Sequence, residues 1–218
     1  MEADSDSESN LSGGGVSSVL DADLMRAVKE AARSTPGLFV SGWEEDDDGI
    51  ACKDMMDPGE QCLTAAEDGD LDLLKQLLTE DPSLLQVRDC DRYTPMHRAA
   101  YNNHPQIVAF LLTQGSDPMA RTEEGWTPLH CAACWGSFEV AEVLLSDPRV
   151  DENARTNGHL TPLHLAVACT DDPKNGRKTA QLLMGREGID LEARSGAGET
   201  PKQIARRTSQ LMSGLFDD

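Results

Sequence analysis

Basic residues are scarce in this sequence of 218 residues, which holds 19 Lys and Arg against 39 Asp and Glu. Nucleic-acid backbones are bound by basic faces, and anionic membrane surfaces attract clusters of Lys and Arg. The composition therefore disfavours direct binding of nucleic acid and docking on a membrane. The longest apolar runs are also far too short to cross a bilayer.

Motifs for catalysis and cofactor binding are lacking as well. The sequence has no glycine-rich loop of the kind that cradles phosphates. It also has no Ser or Cys nucleophile accompanied by a His whose presence is otherwise unexplained. We therefore expect no enzyme activity and no cofactor.

One stretch suggests chemistry, because GWTPLHCAACWG places His130, Cys131 and Cys134 within five residues. A tetrahedral zinc site would need a second C-x-x-C, which the sequence does not offer. A thioredoxin-like motif would need a βαβ context, which is also missing. A metal or redox protein built on these three residues is kept as the alternative from a different functional class.

A repeated unit organises most of the chain. Thr-Pro recurs four times at steps of 33, 34 and 39 residues, with its threonine at Thr94, Thr127, Thr161 and Thr200. An alanine pair or a close substitute follows at a constant offset. An earlier unit lacks Thr-Pro but keeps Ala65 and Ala66, 34 residues before Ala99 and Ala100. Registered copies of this length are typical of repeat architectures.

The residues of each unit favour two short helices. Threonine accepts hydrogen bonds from free N–H groups as a helix N-cap, and proline fits the first helical position. A histidine three residues after the threonine can reach back to the cap. This motif pairs Thr94 with His97, Thr127 with His130 and Thr161 with His164. An apolar stripe of a second helix then follows at Ile107, Val108, Leu111 and Leu112.

The pattern resembles the ankyrin repeat, whose period and T-P-L-H signature match over about residues 59–216. The resemblance implies an all-α solenoid of about five helix-turn-helix units joined by β-hairpin-like loops. The units lie near residues 59–88, 89–121, 122–155, 156–194 and 195–218. It also implies a structural role for His97, His130 and His164, which occupy one position of the unit.

In the ankyrin family, the hairpin tips and the exposed side of the first helices form a concave protein-binding surface. The candidate partner-binding residues at those positions are Tyr93, Tyr101, Asn102, Glu123, Glu124, Trp126, Trp135 and Leu160. Tyr and Trp are enriched among binding hot spots, and this sequence has only two Tyr and three Trp. The alternative is that these aromatic side chains cover the hairpin arms and fill gaps between repeats.

Two further features have structural interpretations. A ladder of basic residues follows the repeat at Arg88, Arg121, Arg155 and Arg194, and we expect it to pair with neighbouring acids. The step of 39 residues contains TDDPKNGRKT, about four residues more than the other units. Tolerated growth of the loop between two helices is the interpretation that we favour for this insertion.

The segment before the repeats differs in composition, because residues 1–60 hold 15 acids and only 4 bases. We expect residues 1–58 to form an acidic flexible leader with a short helix at 18–33. Apolar residues at Leu38, Phe39, Val40 and Trp43 precede five consecutive acids. That pattern is typical of disordered interaction segments, including activation-type regions, and a solubilising tail is the alternative.

The sequence therefore predicts a non-catalytic adaptor or scaffold that binds one or more unidentified proteins through its concave face. We expect it to be a monomer in the cytoplasm, the nucleus or both, with its six cysteines reduced. A nuclear transcription-related cofactor, using the acidic leader as a second interaction segment, is the alternative within the binding class.

Overall fold

The computed structural model describes residues 56–170 and 172–217. The leader expected over residues 1–58, with its helix at 18–33, lies outside these residues except at its last three positions. The regular structure of the described part of the chain is entirely helical. Its α-helices are α1 (Pro58–Asp68), α2 (Leu71–Glu80), α3 (Pro95–Tyr101), α4 (Pro105–Thr113), α5 (Pro128–Trp135), α6 (Phe138–Leu145), α7 (Pro162–Ala168), α8 (Pro173–Met184), α9 (Pro201–Thr208) and α10 (Gln210–Ser213). A 3₁₀ turn at Pro82–Gln86 follows α2.

The helices begin where the sequence supplies caps. Thr94, Thr127, Thr161 and Thr200 each precede a helix that starts with proline, as expected. The first unit lacks Thr-Pro, and Asp57 is the N-cap of its first helix. The Asp57 carboxylate accepts hydrogen bonds from the Gly59 and Glu60 amides, both at 3.3 Å. Short polar side chains at an N-cap satisfy amides that have no partner within the helix.

The helices stack in two layers. The first helices of successive units, α1, α3, α5, α7 and α9, pack in chain order, and α4, α6 and α8 pack behind them. Small residues permit the close approach, since Ala99, Ala132 and Ala166 are fully buried. The stripe of α4 buries Ile107, Val108 and Leu111, whereas Leu112 is only half-buried. Burial of these apolar stripes stabilises each unit against its neighbours.

The insertion in the fourth unit lengthens a helix, so the expected loop growth is wrong. Helix α8 has 12 residues, against 9 in α4 and 8 in α6. Asp172 caps it by accepting from the Asn175 amide at 3.1 Å. Gly176 lies so close to the preceding turn that a Cβ there would be 2.7 Å from the Cβ of Cys169. The inserted residues therefore pack as an extra helical turn.

Candidate protein-interaction surface

Tight turns separate the units, and each places three residues at its tip between two hydrogen-bonded residues. The Thr122 amide donates to the Trp126 carbonyl at 3.0 Å, and the equivalent bond joins Thr156 to Leu160 at 3.0 Å. The same bond forms in the other units between Asp89 and Tyr93 and between Ser195 and Glu199. Each turn is thus closed immediately before the threonine that caps the next helix.

The tips are joined to one another by backbone hydrogen bonds. The Glu123 amide donates to the Asp91 carbonyl at 2.9 Å, and the Asn157 amide donates to the Glu124 carbonyl at 3.0 Å. The Gly196 amide continues the row by donating to the Gly158 carbonyl at 2.8 Å. Four turns from distant parts of the chain therefore form one continuous edge whose spacing is fixed by the backbone.

The Thr-Pro-x-His motif closes on itself as the sequence predicts. In the third unit, the Thr127 amide donates to His130 Nδ1 at 3.1 Å, and the Thr127 hydroxyl lies 2.8 Å from the same nitrogen. His97 and His164 make the same two contacts with Thr94 and Thr161. Because Nδ1 accepts from an amide, the ring proton is assigned to Nε2.

That proton connects one repeat to the next. His130 Nε2 donates to the carbonyls of Ala154 and Leu160, both at 3.1 Å, while His97 Nε2 donates to Trp126 at 3.1 Å. Burial lowers the pKa of His97 and of His130 from 6.5 to about 4, because the charged ring would lose its hydration. The pKa of His164 is lowered by the same cause. These rings are therefore neutral at physiological pH, and they connect successive repeats by hydrogen bonds.

Three of the candidate binding residues are buried, which corrects their expected exposure. Tyr93 is 6% exposed, Trp126 is 4% exposed and Leu160 is 7% exposed. Each lies immediately before a Thr-Pro, where the hairpin arm packs against the repeat body. The Tyr93 ring meets the His97 ring edge-on with 5.6 Å between centroids, and the Trp126 ring lies 6.5 Å from that of His130. The packing interpretation therefore describes these side chains, since they complete the core around the histidines.

The other aromatic candidates come together. Tyr101 and Trp135 end α3 and α5, are both half-buried, and have ring centroids 4.6 Å apart at an interplanar angle of 59°. Asn102 is exposed beside them. The Ser137 hydroxyl donates to the Tyr101 carbonyl at 3.2 Å, which ties the turn after α5 to the end of α3. Two adjacent repeats thus present one aromatic surface.

The acidic candidates occupy the row of tips. Glu123 is exposed and Glu124 is half-buried, and the backbones of both bond to neighbouring tips. Two of the turns have a residue with a Cβ where the other two have glycine. Arg92 and His159 have φ of 67° and 59°, where the equivalent Gly125 has φ of 78°. Both side chains are exposed, and both hold a left-handed conformation that glycine adopts more readily.

The arginine ladder bonds mainly to backbone rather than to acids. Arg88 donates to the carbonyl of Arg121 at 2.9 Å, and Arg121 donates to the carbonyl of Arg155, one repeat further on. Arg155 comes closest to the expected pairing with an acid, because its guanidinium lies 3.6 Å from the Asp190 carboxylate. Arg194 donates to the Gly198 carbonyl within its own turn. The ladder links successive units along the hairpin arms.

A buried charged cluster was not anticipated from the sequence. Arg98, whose side chain is 2% exposed, lies 2.8 Å from Glu67 and 2.9 Å from Asp89. Asp89 also accepts from the Tyr93 amide at 2.8 Å. The only sequence signal was that Arg98 occupies the position of Cys131 and Leu165 in the other units. A charge at an otherwise apolar position indicates a buried partner.

The stretch around His130 is structural. Both ring nitrogens of His130 are engaged in hydrogen bonds to the backbone, and Cys131 and Cys134 are buried. Within residues 56–170 and 172–217, no cluster of three or more His, Cys, Asp or Glu side chains has an arrangement suited to holding a metal ion. Over the same residues, no helix combines the length and the apolar character needed to cross a membrane.

Comparison with known proteins agrees with this geometry. Residues 62–156 match the family model described as "Ankyrin repeats (3 copies)". Ankyrin repeat domain-containing protein 49 of Homo sapiens is 46% identical over 66 residues, which cover 30% of this chain and 28% of that protein. Its Drosophila melanogaster counterpart is 36% identical over 90 residues, covering 40% of this chain and 42% of that protein.

A longer match is found in yeast. The probable 26S proteasome regulatory subunit p28 of Saccharomyces cerevisiae is 34% identical over 142 residues. The match covers 63% of this chain and 60% of the yeast protein. The chain therefore spans less than two thirds of the length of each of these relatives.

Proposed function

This chain contains ankyrin repeats, and from that premise we propose that it is a non-catalytic adaptor or scaffold that binds a partner protein on its concave face. The observation that carries the proposal is the row of turns joined by the amides of Glu123, Asn157 and Gly196. A surface whose backbone is already ordered loses little conformational freedom on binding. Such a surface suits recognition of an extended or folded protein partner.

The proposed binding surface consists of the exposed tips and the ends of the first helices. Its residues are Asn102, Glu123 and Glu124, together with the half-buried Tyr101 and Trp135. Tyr93, Trp126 and Leu160 support this surface from beneath. Substituting them is therefore expected to act on binding through the fold.

Affinity capture from a cell extract tests the proposal, with the full chain as bait and quantitative mass spectrometry as readout. Glu123→Arg changes a tip residue, whereas Glu142→Arg reverses an exposed charge on α6, in the second layer. The two variants carry the same change in charge in the same repeat. We expect Glu123→Arg to lose partners that Glu142→Arg retains. Equal loss in both, or in neither, would argue against the concave face.

We propose further that the protein is monomeric and resides in the cytoplasm, the nucleus or both. Cys62 is fully buried as a small core residue, and burial raises the pKa of its thiol to about 12. Core use of a cysteine suits a reducing compartment. Light scattering coupled to gel filtration tests the oligomeric state, and imaging of a fluorescent fusion tests the location.

A further inference from the structure

The Tyr101–Trp135 pair is a preformed aromatic surface on the first-helix layer. The rings are held 4.6 Å apart by the stacking of α3 on α5 and by the bond from the Ser137 hydroxyl to the Tyr101 carbonyl. Both residues come at the last position of a helix, so their backbones are fixed. Binding of a partner to these rings would therefore immobilise few additional side-chain torsions of this chain.

Aromatic faces attract cations, because their π electrons make the face negative. This chain already uses the interaction on its second helices. Lys75 Nζ lies 5.9 Å from the centroid of Phe110, and Lys178 Nζ lies 5.5 Å from that of Phe138. The same chemistry applies to the rings at the ends of α3 and α5.

Two acidic residues lie close to the turns that follow Tyr101 and Trp135. Asn103, two residues after Tyr101, donates to the Glu139 carboxylate at 2.7 Å. That hydrogen bond lowers the pKa of Glu139 and keeps it ionised. A Cβ at Gly136, which follows Trp135, would lie 3.2 Å from the Asp172 carbonyl oxygen and 3.4 Å from the Asp172 Cβ, so Asp172 is close to the end of α5. Lys178 offsets part of the charge of Glu139.

The charge of the chain beyond these two acidic residues is also negative. Glu123 and Glu124 lie on the row of tips, and the chain as a whole carries a formal net charge of −20. Arg88 and Arg121 lie on the hairpin arms with their guanidinium groups bonded to backbone carbonyls. Such a field speeds the approach of a cationic partner and disfavours an anionic one.

We propose that the Tyr101–Trp135 pair is the docking point for a lysine or arginine side chain presented by a basic segment of a partner protein. The inference rests on the proposed protein-binding function and specifies the chemistry of the partner. The cation would lie against the aromatic faces, with the carboxylate of Glu139, four residues after Trp135, as a counter-charge. Glu123 and Glu124 would contribute mainly to attraction at longer range.

The test uses three fluorescein-labelled peptides and the full chain, with fluorescence anisotropy as readout. The peptides repeat Lys-Gly-Ser, Arg-Gly-Ser or Glu-Gly-Ser, so that only the charged side chain differs. We expect the Lys and Arg peptides to bind in a salt-dependent manner and the Glu peptide not to bind. Trp135→Ala should weaken binding about threefold to tenfold, which is the range that a single cation–aromatic contact supports.

Matched variants separate the aromatic contact from general attraction and from misfolding. Trp135→Phe should retain most of the affinity, since it keeps an aromatic face, and Glu139→Gln should reduce it. Phe110→Leu on α4 removes an aromatic residue from the second layer and should leave binding unchanged. Urea unfolding of each variant checks that it is folded.

Two outcomes would overturn the inference. Equal affinity of Trp135→Ala and the unsubstituted chain for the basic peptides would show attraction by net charge alone. Failure of both basic peptides to bind would exclude the basic segment. The proposed function would survive the failure of the basic peptides if Glu123→Arg still loses a captured partner in the affinity-capture experiment. If no partner is lost there while the peptides bind at Trp135, the row of tips is excluded from the binding surface and the aromatic pair remains in it.

Discussion

His130 donates from Nε2 to the carbonyl oxygen of Leu160, 3.1 Å away and thirty residues later in the sequence. The same ring accepts from the Thr127 amide at its other nitrogen, at 3.1 Å. One side chain therefore caps the first helix of its own repeat and holds the hairpin of the next. The T-P-x-H signature thus encodes both the start of a helix and the joint between units.

The two functions of His130 can be separated by mutation. The last repeat has Gln203 at this position, and its Oε1 accepts from the Thr200 amide at 2.9 Å. We therefore expect His130→Gln to keep the cap and lose the joint, and His130→Ala to lose both. Loss of the cap costs about 1 kcal/mol, and each buried group left without a partner costs about 1–3 kcal/mol.

Urea unfolding of these variants should rank them in a fixed order. Thr127→Ala should destabilise by about 1 kcal/mol. His130→Gln and His130→Ala should follow, with the alanine variant the least stable. Unchanged midpoints for Thr127→Ala and His130→Ala would contradict the structural role assigned to this motif.

Stability should fall when the pH decreases from about 6.5 towards 4. The pKa of His97 and of His130 is about 4 in the folded chain, against 6.5 for an exposed histidine. The unfolded chain therefore binds more protons in this range, and the free energy of unfolding decreases as the pH falls. Above pH 6.5 both states are neutral at these residues, and the contribution is fully present.

Urea midpoints measured across this range test the prediction. His97→Gln should show a shallower dependence than the unsubstituted chain, because it removes one of the three histidines whose pKa is lowered by burial. An equal slope in the variant would assign the pH dependence to other groups, such as the carboxylates.

The two repeat-domain tryptophans should differ in their effect on stability. Trp126 is 4% exposed, and truncating a buried aromatic side chain typically costs about 3–5 kcal/mol. Trp135 is half-buried, so Trp135→Ala should cost less. Leu144→Ala, in the fully buried stripe of α6, serves as the reference at about 2–5 kcal/mol. A larger loss for Trp135→Ala than for Trp126→Ala would contradict the burial pattern.

Glycine at the strained tips should stabilise the chain. Arg92 and His159 have positive φ, as do Gly125 and Gly198 in the equivalent turns. Arg92→Gly and His159→Gly should each raise the free energy of unfolding by up to about 1 kcal/mol, because a left-handed residue with a Cβ is strained. Thermal melts measure the change, and a clear decrease for both variants would contradict it.

The reverse substitution provides the control. A Cβ at Gly125 would lie 2.6 Å from Asn157 Oδ1 and 2.8 Å from an Arg121 guanidinium nitrogen. Gly125→Ala should therefore lower the melting temperature, through both strain and close contact.

We expect substitutions of the buried Arg98 to be among the most destabilising in the first two repeats. Arg98→Met keeps an apolar stem of similar length but leaves the Asp89 carboxylate, 5% exposed, without its cation. Breaking a buried pair in this way typically costs about 3–5 kcal/mol. Adding Asp89→Asn should recover part of the loss, because the amide retains an acceptor for the Tyr93 amide. A double variant no more stable than Arg98→Met would show that this ion pair is not the cause.

The sequence alone predicted the repeat, its helices and the placement of its caps, because those features depend on residues a few positions apart. Thr127, Pro128 and His130 define the start of α5 by contacts within one turn, and the constant step repeats that start along the chain. The Thr-Pro motifs therefore indicated the fold class before any packing was known. Tyr101 is equivalent to Cys134 in the repeat, one position before Trp135, so the approach of the Tyr101 and Trp135 rings became known only from the structure.

Burial and pairing were decided only by the tertiary structure. Tyr93 and Trp126 have the sequence character of exposed binding residues, yet they are enclosed because the hairpin arm packs against the histidine of its own unit. Arg98 meets Glu67 from the preceding unit, 31 positions earlier, and no local pattern specifies that contact. The inserted residues after Asp172 are helical, and the absence of a Cβ at Gly176 permits their close approach to Cys169. Each outcome depends on how neighbouring repeats fill the space between them, and that space exists only once the units have stacked.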